Sequence, residues 1–252
     1  MPAAASGIGL AVSTVIFALR PDDAGAPSVW LPLVRRIREP FLHRWALPGG
    51  PVALSESLEA SARRNLLETT RLQPTYLEQL YAFGDVDRSP DSRLVSIVYW
   101  ALVRPEEAER VSLGENVRWF PADDLPDLAF DHNLIVEYAL WRLRTKMEYS
   151  RIAHAFLGEQ FTLAELRGVH EAVLQKPLDP ANFRRQMEAS GAIEPTGDVV
   201  VGGRHRPPKL YRYTGAVSLA DAGPLTARVV AAAAQHPRPA TDDAPHPQED
   251  AR

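Results

Sequence analysis

The sequence predicts an α+β fold in two parts, and three observations point there. As far as residue 149, bulky stretches that alternate like strands are interleaved with two amphipathic helical patterns. Beyond that point come three short helical patterns and then two β-like arms around a Gly, Arg and Pro loop. The end of the chain is Pro-rich and polar. At about 100 to 200 residues per domain, a chain of 252 residues accommodates two modest domains. The expected divisions are 1–149, 150–215 and a tail at 216–252.

In the first part, "AVSTVIFAL" and "VWLPLVRR" flank "RPDDAGAP", whose Pro, Asp and Gly mark a loop between paired strands. After "EPFLHRWALPGG" a helix is expected. Ser55 or Ser57 supplies its N-cap, and Leu58, Ala62, Leu66 and Leu67 recur at helical spacing. "YLEQLYAFGDVD" and "RLVSIVYWALV" read as strands, the second bulky and β-branched enough to be buried. A short strand at "VRWFP" precedes a helix through "DHNLIVEYALWRLRTKMEYS". In the second part, "SRIAHAFLG", "TLAELRGVHEAVLQ" and "DPANFRRQMEASG" are expected helices separated by Gly, Thr and Asp-Pro punctuation, and "DVVVGGRHRPPKLYRYT" reads as a hairpin. Helix, helix, helix, hairpin is the winged-helix order. A weakly helical "LTARVVAAAAQ" then gives way to "HPRPATDDAPHPQEDAR", which cannot bury enough apolar surface to order itself.

Composition narrows the function classes. The 45% hydrophobic and 24% charged fractions are those of a soluble globular protein, and no apolar run approaches the roughly 18 residues a membrane span needs. The opening "MPAAASGIGLAVSTVIFALR" lacks a basic leader and alternates like a strand, so no signal peptide is expected and the cytoplasm is the expected location. Zero cysteines exclude disulfides, thiol catalysis and cysteine zinc sites. A net charge of -4 argues against a nonspecific coat for nucleic acid. One segment reverses that balance: from Lys176 to Arg212, seven basic residues (176, 184, 185, 204, 206, 209, 212) face four acids (179, 188, 194, 198).

The chemistry of the first part centres on "GGPVALSESLEASARRNLLETTRL". Pyrophosphate hydrolysis needs divalent cations held by oxygen ligands and a base to activate water. Carboxylates at i, i+3 and i+4 of a helix can meet such ions together. The stretch resembles the Nudix box, and Gly50, Glu56, Arg64, Leu66, Glu68 and Leu72 match its spacing. Asn65 and Thr69 stand where the box has acids, and Arg71 where it has glycine, so only Glu68 remains of the acid triad. An amide and a hydroxyl neither neutralise bound cations nor act as a base at ordinary pH, so no efficient hydrolysis is expected. "RWALPGG" before the helix and "AFGDVDRSPDSRLVSIVYWALV" after it resemble Nudix proteins acting on ADP-ribose-like substrates, which extends the likeness over residues 10 to 145. It implies a Nudix-like α/β/α sandwich.

Such a ligand needs cationic or amide donors for its phosphates and a flat apolar surface for adenine. Arg35, Arg36, Arg44 and Arg93 are the candidate phosphate contacts, with Trp45, Phe83 and Tyr99 as aromatic faces; for Trp45 and Tyr99 core packing is an equal alternative. Glu56, Arg64 and Glu68 of the box complete the expected ligand-binding set. In the second part, "LDPANFRRQMEASG" suits a recognition helix: Asp179 caps it, Pro180 fits its first turn, and Asn182, Arg184, Arg185 and Gln186 offer groups that read base edges. Phe183 and Met187, four apart, are expected to face inward. Lys176 precedes this helix, and Arg204, His205, Arg206 and Lys209 fall at a wing tip suited to the phosphate backbone or minor groove.

The two halves together, through "LDPANFRRQM" and "RPPKLYRY", resemble the NrtR family of Nudix-related transcriptional regulators. That resemblance implies a homodimer bound to operator DNA that represses genes of NAD synthesis and salvage and is released by ADP-ribose or a related NAD metabolite. It requires no cofactor and no resident metal, and the acids left in the box are too few to call for Mg²⁺. The alternatives are an active ADP-ribose or nucleotide-sugar pyrophosphatase using Asp85, Asp87 or Glu56 for metal, with an accessory C-terminal domain, and a protein-interaction adaptor.

Overall fold

The computed structural model describes residues 7–74, 76–109, 116–149, 152–200 and 207–214, with the side chains of 148 and 149 excepted. The first part is built on a seven-stranded mixed sheet with the path β3-β2-β1-β6-β5. Its centre is β1 (Gly9–Pro21) running parallel to β6 (Leu94–Val103), from Gly9 opposite Leu94 to Ala18 opposite Val103. Both strands are almost continuously apolar, as expected where a sheet is covered on two faces. On the face bearing Val12, Ile16, Ala18, Tyr99 and Ala101 lie Ala62 and Leu66 of α1 (Leu58–Thr70). On the other, Trp100 meets Lys146 of α3 (His132–Tyr149), whose ammonium lies 5.4 Å from the ring centroid. Two helices thus sandwich the sheet.

The remaining strands extend this frame. β2 (Pro27–Arg35) pairs antiparallel with the C-terminal end of β1, across the loop of Asp, Gly and Pro. Two short strands, β3 (Trp45–Ala46) and β4 (Gly49–Pro51), pair with β2 and β1 respectively. β5 (Tyr76–Phe83) forms the free edge beyond β6, and β7 (Val117–Pro121) pairs with β2. A four-residue helix α2 (Pro105–Ala108) follows β6. At the start of α1 the Ser57 side chain accepts from Ala60 N–H, so Ser57, of the two candidate serines, is the cap.

The second part holds a five-residue 3-10 helix (Ile152–Phe156), then β8 (Phe161–Thr162), α4 (Leu163–Leu174), α5 (Pro180–Ala189), β9 (Ile193–Val199) and β10 (Lys209–Tyr213). The first expected helix is therefore a single tight turn, and the hairpin gains a third strand in the order β8-β10-β9. Its first arm starts at Ile193, five residues before the expected Asp198, and runs through Pro195 and Gly197. An edge strand tolerates that proline because its missing N–H faces away from the ladder. Thr162 and Glu165 form a reciprocal capping box on α4. The expected tail at 216–252 and most of the wing tip lie outside the described residues.

Candidate functional site

Glu56, just ahead of the α1 cap, accepts from Arg64 Nε at 2.8 Å and Nη2 at 3.0 Å, and from Ser61 Oγ at 2.7 Å. Arg64 Nη1 lies 3.4 Å from Glu68 Oε2, one turn further on. The Arg64 and Ser61 hydrogen bonds hold the Glu56 carboxyl below its ordinary range, and the same carboxylate raises the pKa of Arg64. One guanidinium therefore occupies both acids that match the box. At the two positions that lack acids the side chains bond within the helix: Asn65 Nδ2 donates to Ser61 O at 2.8 Å, and Thr69 Oγ1 donates to Asn65 O at 2.6 Å. These are bonds to the helix's own carbonyls. Gly50 completes the arrangement, because a β-carbon there would lie 2.3 Å from Asn65 Oδ1. Among the described residues no three His, Asp or Glu side chains form a metal-holding group.

Two cavities meet at β4. One, of about 430 Å³, is walled by Arg35, Arg36, Arg38, Thr69 and Val117; the other, of about 320 Å³, by Ser13, Arg36, Ser96, Arg88, Phe130 and His132. Arg36 belongs to both. Its Nε donates to Pro40 O at 2.7 Å and its guanidinium lies 4.6 Å from the Phe130 ring centroid, where burial lowers its pKa against the opposing pull of Glu39. Arg88, only 2% exposed in its side chain, donates Nε and Nη2 to the two carboxylate oxygens of Asp131 at 3.0 and 2.6 Å. His132 accepts the Leu47 N–H on Nδ1 at 3.0 Å. Burial, opposed by the Asp131 carboxylate and reinforced by the Arg88 and Arg36 guanidiniums, pushes the imidazole down to about 3, so it is neutral at pH 7 and carries its proton on Nε2.

The structure brings Arg35 and Arg36 to this cleft, with Arg64 and Glu68 on the helix whose Thr69 lines it and Glu56 just ahead of that helix. Arg44 instead pairs with Asp127 at 2.9 Å, and Trp45 packs edge-on to Phe120 with ring centroids 5.1 Å apart. Arg93 Nη1 donates to Asp85 O at 3.2 Å, and Phe83 joins Tyr81 and Tyr138 in an aromatic group. None of these four lines either cavity. Tyr99 packs in the core with Val12 and Ala62. The cleft's further residues, Arg88, Phe130 and His132, were not among the candidates; a pair spanning the 43 positions from Arg88 to Asp131 leaves no mark on local spacing.

A second surface lies on α5. Asn182, Arg184, Arg185 and Gln186 are all exposed, and Arg185 Nη2 donates to Asn182 Oδ1 at 2.7 Å. Asp179 caps the helix by accepting Asn182 N–H at 2.8 Å. Phe183 is buried edge-on to His170 of α4, and Met187 is half-buried, so both face inward as expected. Burial pushes His170 down to about 4. Arg184 and Lys209 share the wall of a cavity of about 350 Å³ between α5 and the sheet, and Lys176 is exposed in the preceding loop. Arg204, His205 and Arg206 lie outside the described residues.

With this geometry in place, the likeness to known proteins is specific. The Nudix domain family model matches residues 9–139, and that of the NrtR DNA-binding winged helix domain matches 153–213. The "ADPR responsive transcriptional repressor NtrR" of Acinetobacter baylyi is 34% identical over 205 residues, which cover 79% of this chain and 81% of that protein. The chain belongs to the NrtR family. Its fold matches the crystal structure of Shewanella oneidensis NrtR complexed with a 27mer DNA at a TM-score of 0.69, with 36% identity over 81% of this chain and 93% of that one. The chain is also similar to the ADP-ribose pyrophosphatase of Methanocaldococcus jannaschii, 33% identical over 111 residues, 44% of this chain and 66% of that protein.

Proposed function

We propose that the chain is a DNA-binding transcriptional regulator that represses genes of NAD synthesis and salvage and leaves its operator when ADP-ribose or a related NAD metabolite fills the cleft at β4. The observation that carries this reading is the pairing, within one chain, of a box whose remaining acids are held by Arg64 with a capped helix that exposes Asn182, Arg184, Arg185 and Gln186. The name of the Acinetobacter relative and the DNA in the Shewanella structure support it. Residues 1–149 bind the effector and dimerise, residues 150–215 bind DNA, and 216–252 form a tail. A DNA of 27 units exceeds two helical turns, room for two winged helices on half-sites presented by a homodimer. The chain works in the cytoplasm and does not hydrolyse its ligand.

The proposed effector set is Arg35, Arg36, Arg44, Trp45, Glu56, Arg64, Glu68, Phe83 and Arg93; those lining the cleft contact ligand and the others shape its surroundings. The proposed DNA set is Lys176, Asn182, Arg184, Arg185, Gln186, Arg204, His205, Arg206 and Lys209. A second reading, an active pyrophosphatase with an accessory domain, is favoured by the similarity to the Methanocaldococcus enzyme. Two assays separate them: release of AMP from ADP-ribose with Mg²⁺ or Mn²⁺, and selection of bound sequences from a random duplex library. The regulator gives no release above a protein-free control and selects a sequence, and R184A with R185A abolishes the selection. Brisk release with no selected duplex establishes the enzyme instead.

A further inference from the structure

Another cavity, of about 520 Å³, shares no residue with the two at β4. Its walls come from the β1–β2 hairpin and the start of α2 on one side, and from the 3-10 helix and α4 on the other. Its size falls in the range of small-molecule sites, about 300 to 1,000 Å³. Leu19, Phe156, Leu157 and Val169 make it mostly apolar, and Arg20 and Glu165 are the charged residues that line it. These two differ in what holds them. Glu165 Oε2 accepts Thr162 N–H at 2.7 Å and Thr162 Oγ1 at 3.0 Å in the α4 capping box. The Arg20 guanidinium lies 4.9 Å from the Trp119 ring centroid and makes no hydrogen bond or ion pair among the described residues. Gly168 lies inside α4, where glycine weakens a helix. A β-carbon there would meet no atom within 4 Å, so the missing side chain leaves the cavity open.

We propose that this cavity is a second ligand site, one that takes an aliphatic monocarboxylate, with the hydrocarbon against Leu157 and Val169 and the carboxylate on Arg20. The guanidinium is the charge that lacks an opposite partner, and its planar fork matches two carboxylate oxygens. A hydrocarbon body suits walls that offer few polar groups, because its gain comes from leaving water. A polyanion does not suit them: one cation faces it, with the Glu165 carboxylate on the same wall. The inference therefore stands apart from the effector reading, in residues and in ligand chemistry.

The test is calorimetric titration of the full chain with octanoate, hexanoate and 1-octanol, using the wild type, Arg20→Gln and Gly168→Leu. Octanoate is expected to saturate a single site and to lose about 2- to 4-fold in affinity for each methylene removed on going to hexanoate. It is expected to weaken about 10-fold or more in R20Q. In G168L, whose leucine favours the helix and enters the cavity, it is expected to weaken at least about 10-fold. 1-Octanol carries no charge and is expected to bind wild type and R20Q within about twofold, which separates loss of the charge from loss of the cavity. Filtered NOEs from octanoate to the methyls of Leu157 and Val169 in the wild type give a readout that needs neither variant to fold. No saturable binding, octanoate affinity unchanged in R20Q or in G168L, or NOEs confined to other residues overturns the inference. ADP-ribose plays no part in these titrations, so the effector reading is judged separately.

Discussion

Arg71 illustrates how a single residue departs from its position's usual chemistry. It ends α1 at φ 64° with its N–H bonded to Leu67 O, the left-handed cap that normally falls to glycine. Arg71→Gly should therefore stabilise the chain by about 0.5 to 1 kcal/mol, the conformational relief less the added freedom of the unfolded chain, read as a higher urea midpoint at constant slope. His132 carries the opposite kind of strain. Its folded pKa, about 3, lies below its ordinary 6.5, so between those values the unfolded chain binds the extra proton and stability falls as pH falls. From pH 7.5 to 5 it should cost roughly 2 kcal/mol, with His170 adding a loss of the same sign. Urea unfolding at both pH values checks this, and His170→Leu should flatten part of the slope. The missing acids at 65 and 69 were legible because a motif fixes their spacing. Arg88 was not, because its role comes from a partner 43 residues away.

At the level of elements, the sequence resolved what was long and periodic. β1, β2, β6, α1, α3, α4 and α5 follow their apolar patterns. β3 and β4, of two and three residues, are too short for any period, yet β4 carries Gly49 and Gly50 into the cleft. The expected hairpin starts five residues after β9 does because Pro195 and Gly197 are poor strand formers, whereas strand order makes β9 an edge where both are tolerated. The helix α5 depends on one anchor. Phe183 is 5% exposed, and Phe183→Ala should remove about 3 to 5 kcal/mol from the second part. Operator binding should then be lost while ADP-ribose affinity is kept, with amide hydrogen exchange rising in α5 and unchanged in α1.

Across the whole molecule, the contacts between the two parts, within the compact unit Met1–Val217, include a small polar hub. Arg144 of α3 donates Nε to Val173 O of α4 at 3.1 Å and Nη2 to Asp123 at 2.7 Å, and the Gln175 side chain, at the α4 C-cap, also reaches Asp123. Nothing in local sequence announces this hub, since Asp123, Arg144 and Gln175 belong to three elements. Effector and DNA must communicate through whatever joins the parts, and a coupling of about 1 to 3 kcal/mol corresponds to a 5- to 150-fold change in operator affinity. Asp123→Ala should shrink that factor while leaving ADP-ribose affinity in the absence of DNA within about twofold, checked by paired titrations.

The most direct test is to titrate ADP-ribose into the complex of the full chain with its selected duplex, following fluorescence anisotropy and assaying the same samples for AMP. A ligand-gated repressor predicts operator affinity falling about 5- to 150-fold with the ADP-ribose recovered intact. Unchanged affinity, or affinity that changes only as AMP accumulates, would contradict it.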